Sequence, residues 1–231
     1  MIPATVTIWK GLASKLLKAD FHIHTEYSMD CGSPLEKIIA RCLELGIGCI
    51  AVCDHGTAEG ALKLKGLAPF QVIVAEELLT PHGEIMGMFL KETIPSRLSV
   101  GETISRIRAQ GGLVCIPHPF DSFRHSALDS GILEEIVEQV DIIEVFNART
   151  LPFQSQAKAR VFARKHALCQ SAGSDAHTIS EIGHAYVEMP QFDGRDDFLK
   201  ALAEGTVYGH KTSPLAHFFS LGNRLKKKFR Q

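Results

Sequence analysis

The chain has 231 residues, of which 45% are apolar and 22% charged, proportions that exclude a disordered, charge-dominated polymer. Its 25 basic and 26 acidic residues nearly cancel, so net charge does not indicate a nucleic-acid binder. No apolar run reaches the roughly 18 residues of a transmembrane helix, and Met1 to Leu17 lack the basic start, apolar stretch and small-residue cleavage pattern of a signal peptide.

Short β-rich apolar runs recur along the chain, at 19–23, 48–53, 71–75, 84–89, 113–116, 141–146, 168–172 and 184–188. Helix-like segments separate most of them. Ser33-Pro34-Leu35-Glu36 has the form of a capping box with proline at the first helical position. Leu35, Ile38, Ile39 and Cys42 follow at helical spacing, and Gly46 stops the helix. Ser99 and Glu102 open another helix that ends at Gly111-Gly112, and 132–140, 155–166 and 196–204 also read as helical. Thr80-Pro81-His82-Gly83 is a tight turn rather than a domain boundary. The alternation predicts an α/β fold with a mainly parallel sheet covered on both faces. Seven or eight strands without a linker suit one barrel better than two domains, so a single domain over residues 1–231 is expected. The six cysteines form no Cys-x-x-Cys pair and several sit in apolar runs, as expected of buried, reduced thiols in a cytoplasmic protein.

In such folds chemistry collects at the carboxyl ends of strands, where this chain concentrates metal-ligand residue types. The first strand ends in Asp20-Phe21-His22-Ile23-His24. The two-residue period of a strand puts His22 and His24 on one side, a ready chelate, with Phe21 and Ile23 on the other. The second strand ends in Cys53-Asp54-His55 and the third in Glu76-Glu77; two adjacent acids in a buried strand need a compensating cation. The fifth ends in Pro117-His118-Pro119, and the seventh in Gly173-Ser174-Asp175-Ala176-His177, with Asp175 and His177 on one face. Each motif has a bland reading as turn or core. Their conjunction points to a site for more than one ion, built from nitrogen and oxygen donors without thiolates, which suits zinc, manganese or iron.

The ordered set Phe21-His22-Ile23-His24-Thr25 with Ser28 and Asp30, then Asp54-His55, Pro117-His118-Pro119 and Gly173-Ser174-Asp175-Ala176-His177 resembles the polymerase and histidinol phosphatase (PHP) family. The resemblance implies a distorted seven-stranded (β/α) barrel, TIM-like, holding two or three divalent ions. By motif, His22, His24, Glu77 and Asp175 would hold one ion, Glu77 would bridge to a second held with His118, and Asp30, His55 and His177 would hold a third. Glu77 is preferred over Glu76. Glu84 stands where many relatives have a histidine ligand; it could bind a hard ion itself, or His82 could reach in instead. The implied activity is hydrolysis of phosphoesters by a metal-bound hydroxide, on phosphomonoesters of small metabolites or nucleotides. Asp54 is a candidate for proton management, Arg124 for clamping phosphate, and Asn147 for a site-facing position; Arg149 is either a second clamp or a solvated loop charge.

The alternatives are a nuclease acting on DNA or RNA ends and a non-catalytic metal-binding domain. Arg224, Lys226, Lys227, Lys228 and Arg230 make a basic segment at about 218–231, with Phe218, Leu221, Leu225 and Phe229 on one helical stripe. It reads as a packed amphipathic helix or as a contact for nucleic acid or anionic lipid. His166, His184, His210 and His217 carry no motif and read as structural or surface residues. Substrate, metal identity and oligomeric state are not encoded in any motif.

Overall fold

The computed structural model describes residues 16–150 and 155–213; the basic C-terminal segment and His217 lie outside the described residues. Among the described residues nine strands form one sheet: β1 (Leu17–Ile23), β2 (Cys49–Val52), β3 (Gln71–Thr80), β4 (Gly83–Met88), β5 (Leu113–Ile116), β6 (Ile142–Asn147), β7 (Cys169–Gly173), β8 (Ala185–Met189) and β9 (Thr206–Gly209). Six α-helices accompany them: α1 (Leu35–Leu45), α2 (Glu59–Leu67), α3 (Val100–Ala109), α4 (Ser130–Ile136), α5 (Ser155–Lys165) and α6 (Arg195–Ala203). No helix among the described residues is long and apolar enough to cross a membrane.

The strand order is β7-β6-β5-β4-β3-β2-β1-β8-β9. The sheet nearly closes, because the end of β1 meets the end of β7: His24 N donates to Ala176 O at 3.0 Å and Ala176 N to His22 O at 3.3 Å. Gly173 permits this approach, since a Cβ there would lie 2.1 Å from His22 Cβ. The barrel-like α/β fold matches expectation, with nine strands instead of seven. The sheet is mixed rather than mainly parallel. Parallel ladders join β1–β2, β2–β3, β5–β6 and β6–β7, whereas β3–β4, β4–β5, β1–β8 and β8–β9 are antiparallel. The turn at Pro81-His82 makes β3 and β4 a hairpin, with Thr80 opposite Gly83. Glu76 and Glu77 therefore lie inside a ten-residue strand and not at its end.

Local signals explain three of the helix ends. Ser99 caps α3 by accepting from Glu102 N at 3.2 Å, and Asp129 caps α4 through Gly131 N and Ile132 N. Gly46 ends α1 in the left-handed conformation. The box expected at Ser33 does not form. Pro34 occupies the cap position, and Ser33 Oγ donates to His177 O at 3.4 Å. α2 and β9 had no clear sequence signal: α2 mixes Glu59, Lys63 and Lys65 with a weak apolar stripe, and β9 is largely exposed.

Apolar residues split into two cores. One lies between sheet and helices and includes Ile38, Ile50, Val52, Val72, Val74, Ile104 and Ile143. The other runs through Ala19, Phe21, Cys49, Ala51, Cys53, Ile73, Ala75, Met86, Met88 and Ile142, and includes Phe198 of α6, whose ring packs edge-on to Phe21, Phe89 and Phe192. Along several strands the second core continues at two-residue steps into charged side chains: Ile73-Ala75-Glu77, Met88-Met86-Glu84, Ala51-Cys53-His55 and Ile142-Glu144. β1 departs from this alternation. Its pairing with β2 shifts register between Asp20 and Ile23, and Phe21 and Ile23 belong to different cores instead of sharing a face.

Candidate metal centre

The charged ends of these strands converge. His22 Nε2 lies 3.5 Å from Glu77 Oε2 and 3.6 Å from Asp175 Oδ1, and His24 Nε2 lies 3.5 and 3.4 Å from the same two oxygens. All four atoms are buried and have no hydrogen-bond partner. Four donors at tetrahedral metal distances of about 2.0–2.2 Å sit about 3.3–3.6 Å from one another, so the spacing suits a divalent ion. Without a cation the arrangement would be costly, because buried polar atoms are otherwise satisfied.

Two further donor groups adjoin it. His118 Nε2 lies 2.7 Å from Glu77 Oε1 and 3.5 Å from Glu84 Oε2. Asp30 Oδ2 lies 3.4 Å from His55 Nε2 and 3.3 Å from His177 Nε2. His55 Nδ1 faces back toward Glu77 Oε2 at 3.4 Å and Glu84 Oε1 at 3.6 Å, so this imidazole stands between the two groups. His118 (φ 30°) and Asp175 (φ 54°) both adopt left-handed backbone, a strained conformation held by the surrounding fold.

Most of the electrostatics suit ligand roles. Burial opposes charge on His22 and His55, but Cys53 and Glu144 raise the pKa of His22, and Glu77 and Asp30 raise that of His55 to about 10, favouring a charge that a bound cation would displace. Burial, with His177 and His55 beside it, pushes the His24 pKa down to about 4, so the ring is neutral. Burial opposes charge on Asp175, but Arg124 and His22 hold its carboxyl well below the usual range. Burial likewise opposes charge on Glu77, where His22, His55 and His118 prevail. Asp30 is held low against its burial by His177 and His55. Glu84 shifts upward through burial and the neighbouring Glu77 charge.

The remaining expected residues take distinct places. Glu76 points away from the cluster and accepts from Ile94 N at 2.8 Å. Asp54 is occupied by Thr25, its oxygens accepting from the backbone N and from Oγ1, each at 2.6 Å. It therefore anchors the loop after β1. Arg124 Nη2 donates to Asp175 Oδ2 at 2.6 Å. Asn147 Nδ2 donates to Glu144 Oε2 at 3.0 Å and to Asp175 Oδ2 at 3.3 Å. Arg149 is buried, neither a solvated charge nor an open clamp: Nη1 donates to Asp175 O at 3.4 Å and Nε lies 3.6 Å from Glu181 Oε1. His82 is exposed and does not reach in. All six cysteines are free, five of them buried.

Glu144 is a central residue that the motifs did not reveal. Its Oε1 accepts from His22 Nδ1 at 3.0 Å, and its Oε2 accepts from His118 N at 2.6 Å and from Asn147 Nδ2. A carboxylate on the far nitrogen of a ligand imidazole sets its tautomer and orientation. Its only trace in the sequence is one acid in the otherwise uncharged strand Ile142-Ile143-Glu144-Val145-Phe146-Asn147. Asp20 is a second such residue. It accepts from Ser174 N at 2.9 Å and Gly183 N at 3.0 Å, tying β1 to the loop after β7, and burial pushes its pKa up to about 6.

A barrel-like α/β sheet carrying buried His, Asp and Glu donors at one end is thus a frame that could hold metal ions. Family comparison gives this class a name. The PHP domain model matches residues 20–90, and the PHP-associated model matches residues 154–207. The chain belongs to the PHP family. It is 35% identical over 180 residues to an uncharacterized protein of Methanocaldococcus jannaschii, covering 77% of this chain and 72% of that one. Among solved structures it resembles a two-domain protein from Bacteroides vulgatus, described as containing a predicted PHP-like metal-dependent phosphoesterase. That match has a TM-score of 0.68 and 15% identity, over 84% of this chain and 65% of the other. It also resembles a chain named as a candidate metal-dependent phosphoesterase of Bifidobacterium adolescentis, with a TM-score of 0.61 and 15% identity, over 81% and 96% of the two chains. At these identities the solved structures speak for the fold alone.

Proposed function

We propose that the protein hydrolyses phosphoesters, namely phosphomonoesters of small metabolites or nucleotides, at a centre of two or three divalent ions. The observation that carries this reading is the quartet of buried, unpartnered donors His22 Nε2, His24 Nε2, Glu77 Oε2 and Asp175 Oδ1, spaced 3.4–3.6 Å across four of its edges. These four residues would hold one ion; Glu77, Glu84 and His118 a second; Asp30, His55 and His177 a third. Bound ions supply Lewis acidity toward phosphoryl oxygens and bring a water's pKa near neutrality.

The protein's own groups do the rest. Glu144 keeps a proton on His22 Nδ1, which leaves the Nε2 lone pair facing the centre. Asn147 orients the carboxylates of Asp175 and Glu144. Arg124, partly exposed beside Asp175, presents a guanidinium whose planar fork suits phosphoryl oxygens. Asp54 acts as a positioning residue through Thr25 and not as a proton carrier.

The test is phosphate release from a panel of nucleotides, sugar phosphates and other phosphomonoesters by protein stripped and reloaded with manganese, zinc or ferrous iron. Metal-dependent turnover that Asp175→Ala abolishes is the expected result. Absence of turnover on every ester with metal still bound would overturn the assignment.

A further inference from the structure

The donor groups differ in composition in a way that bears on which metals they take. The group at His22 and His24 offers two imidazoles and two carboxylates. The group beside it offers Glu77, Glu84 and His118. Glu84 is buried, and its Oε2 has no hydrogen-bond partner although it faces His118 Nε2 at 3.5 Å. Two buried carboxylates side by side are unfavourable unless a cation lies between them. His55 does not supply this group with a second nitrogen without deserting its other neighbours. Its Nδ1 faces Glu84 but its Nε2 faces Asp30, beside His177, and a neutral imidazole has one lone-pair nitrogen.

We propose that Glu84 makes this second position oxygen-rich, with two carboxylates and one imidazole, so that it selects manganese or a similarly oxygen-preferring ion while the His22–His24 position takes a zinc-type ion. Carboxylate and water suit manganese, whereas imidazole suits zinc, and geometry and donor type must decide because zinc has the general affinity advantage. The inference rests on the metal-centre reading above but not on any substrate. Its readout is metal content, which is independent of phosphate release.

Metal-free protein is reloaded from a mixture with manganese in excess over zinc, desalted, and measured by elemental analysis and by electron paramagnetic resonance of Mn²⁺. Wild type is expected to retain both metals, with the echo modulation of bound Mn²⁺ reporting one imidazole nitrogen. Glu84→His should keep the ion count and move the zinc-to-manganese ratio by about tenfold or more, the scale on which changes around a metal alter its affinity. Glu84→Gln should lose manganese and keep zinc. Wild type that retains zinc alone, Mn²⁺ coupled to two imidazoles, or a ratio unchanged in Glu84→His would each overturn the proposal. Circular dichroism establishes that the variants fold; if neither does, the wild-type metal content and nitrogen count decide the matter by themselves.

Discussion

Replacing Glu144 by glutamine tests how this fold prepares a ligand. The substitution preserves shape and removes one acceptor. In the wild type Oε1 accepts from His22 Nδ1, and Oε2 accepts from His118 N and Asn147 Nδ2. A glutamine whose amide nitrogen replaced Oε2 would face two donors, so the favoured orientation puts it at Oε1 and leaves one donor opposed. His22 then avoids the clash only by moving its proton to Nε2, which removes the lone pair aimed at Glu77 and Asp175. Loss of such a partner typically weakens metal binding by about 10–100-fold, or about 1.4–2.8 kcal/mol at roughly 1.4 kcal/mol per decade. The metal-free protein should lose about 1–3 kcal/mol, the cost of one mispaired buried polar group. Metal retained after dialysis against a graded series of chelator concentrations, together with chemical denaturation of the metal-free form, separates the two effects. Wild-type metal affinity in a folded Glu144→Gln protein would refute the tautomer argument.

Three other outcomes follow from the same geometry. Gly173→Ala places a methyl 2.1 Å from His22 Cβ, where backbone of both β1 and β7 must yield, so it should cost at least about 3 kcal/mol and lower metal content; an unchanged melting temperature would contradict the tight closure of the sheet. Ser99→Ala removes the cap of α3, remote from the metal centre, and should cost about 1 kcal/mol in denaturant titrations while metal content stays at the wild-type level. Arg124→Ala should leave the metal content intact while raising KM for any phosphomonoester that proves to be a substrate, since a guanidinium–phosphate contact is lost; a variant that loses metal instead would show that Arg124 serves mainly to hold Asp175.

The elements most legible in the sequence were those whose signal is local. Eight of the nine strands follow apolar runs, and Ser99 and Gly46 mark helix ends through backbone chemistry that needs no distant partner. The pair His22 and His24 could be read from its two-residue spacing, although the register shift of β1 puts Phe21 and Ile23 in different cores and His24 just past the strand. β9 was not legible, since a short exposed edge strand has little apolar pattern to give it away. Ser33 misled for a related reason. It has the sequence of a cap, but a carbonyl 144 residues away, that of His177, takes its hydroxyl. The antiparallel placing of β4 was equally hidden, because an apolar run carries no direction.

Local chemistry in the sequence therefore determined the inventory: an α/β chain, its strands, and a set of imidazoles and carboxylates suited to divalent ions. Tertiary structure alone decided how that inventory is arranged. The Pro81-His82 hairpin turns β4 back so that Glu84 faces Glu77 and His118, and the contact of Gly173 with His22 brings Asp175 across to β1. Glu144 lies 122 residues from His22, and Asp20 lies 154 from Ser174. Hydrogen bonds over such separations leave no periodicity in the chain, because they depend on how strands close in space and not on spacing along the backbone.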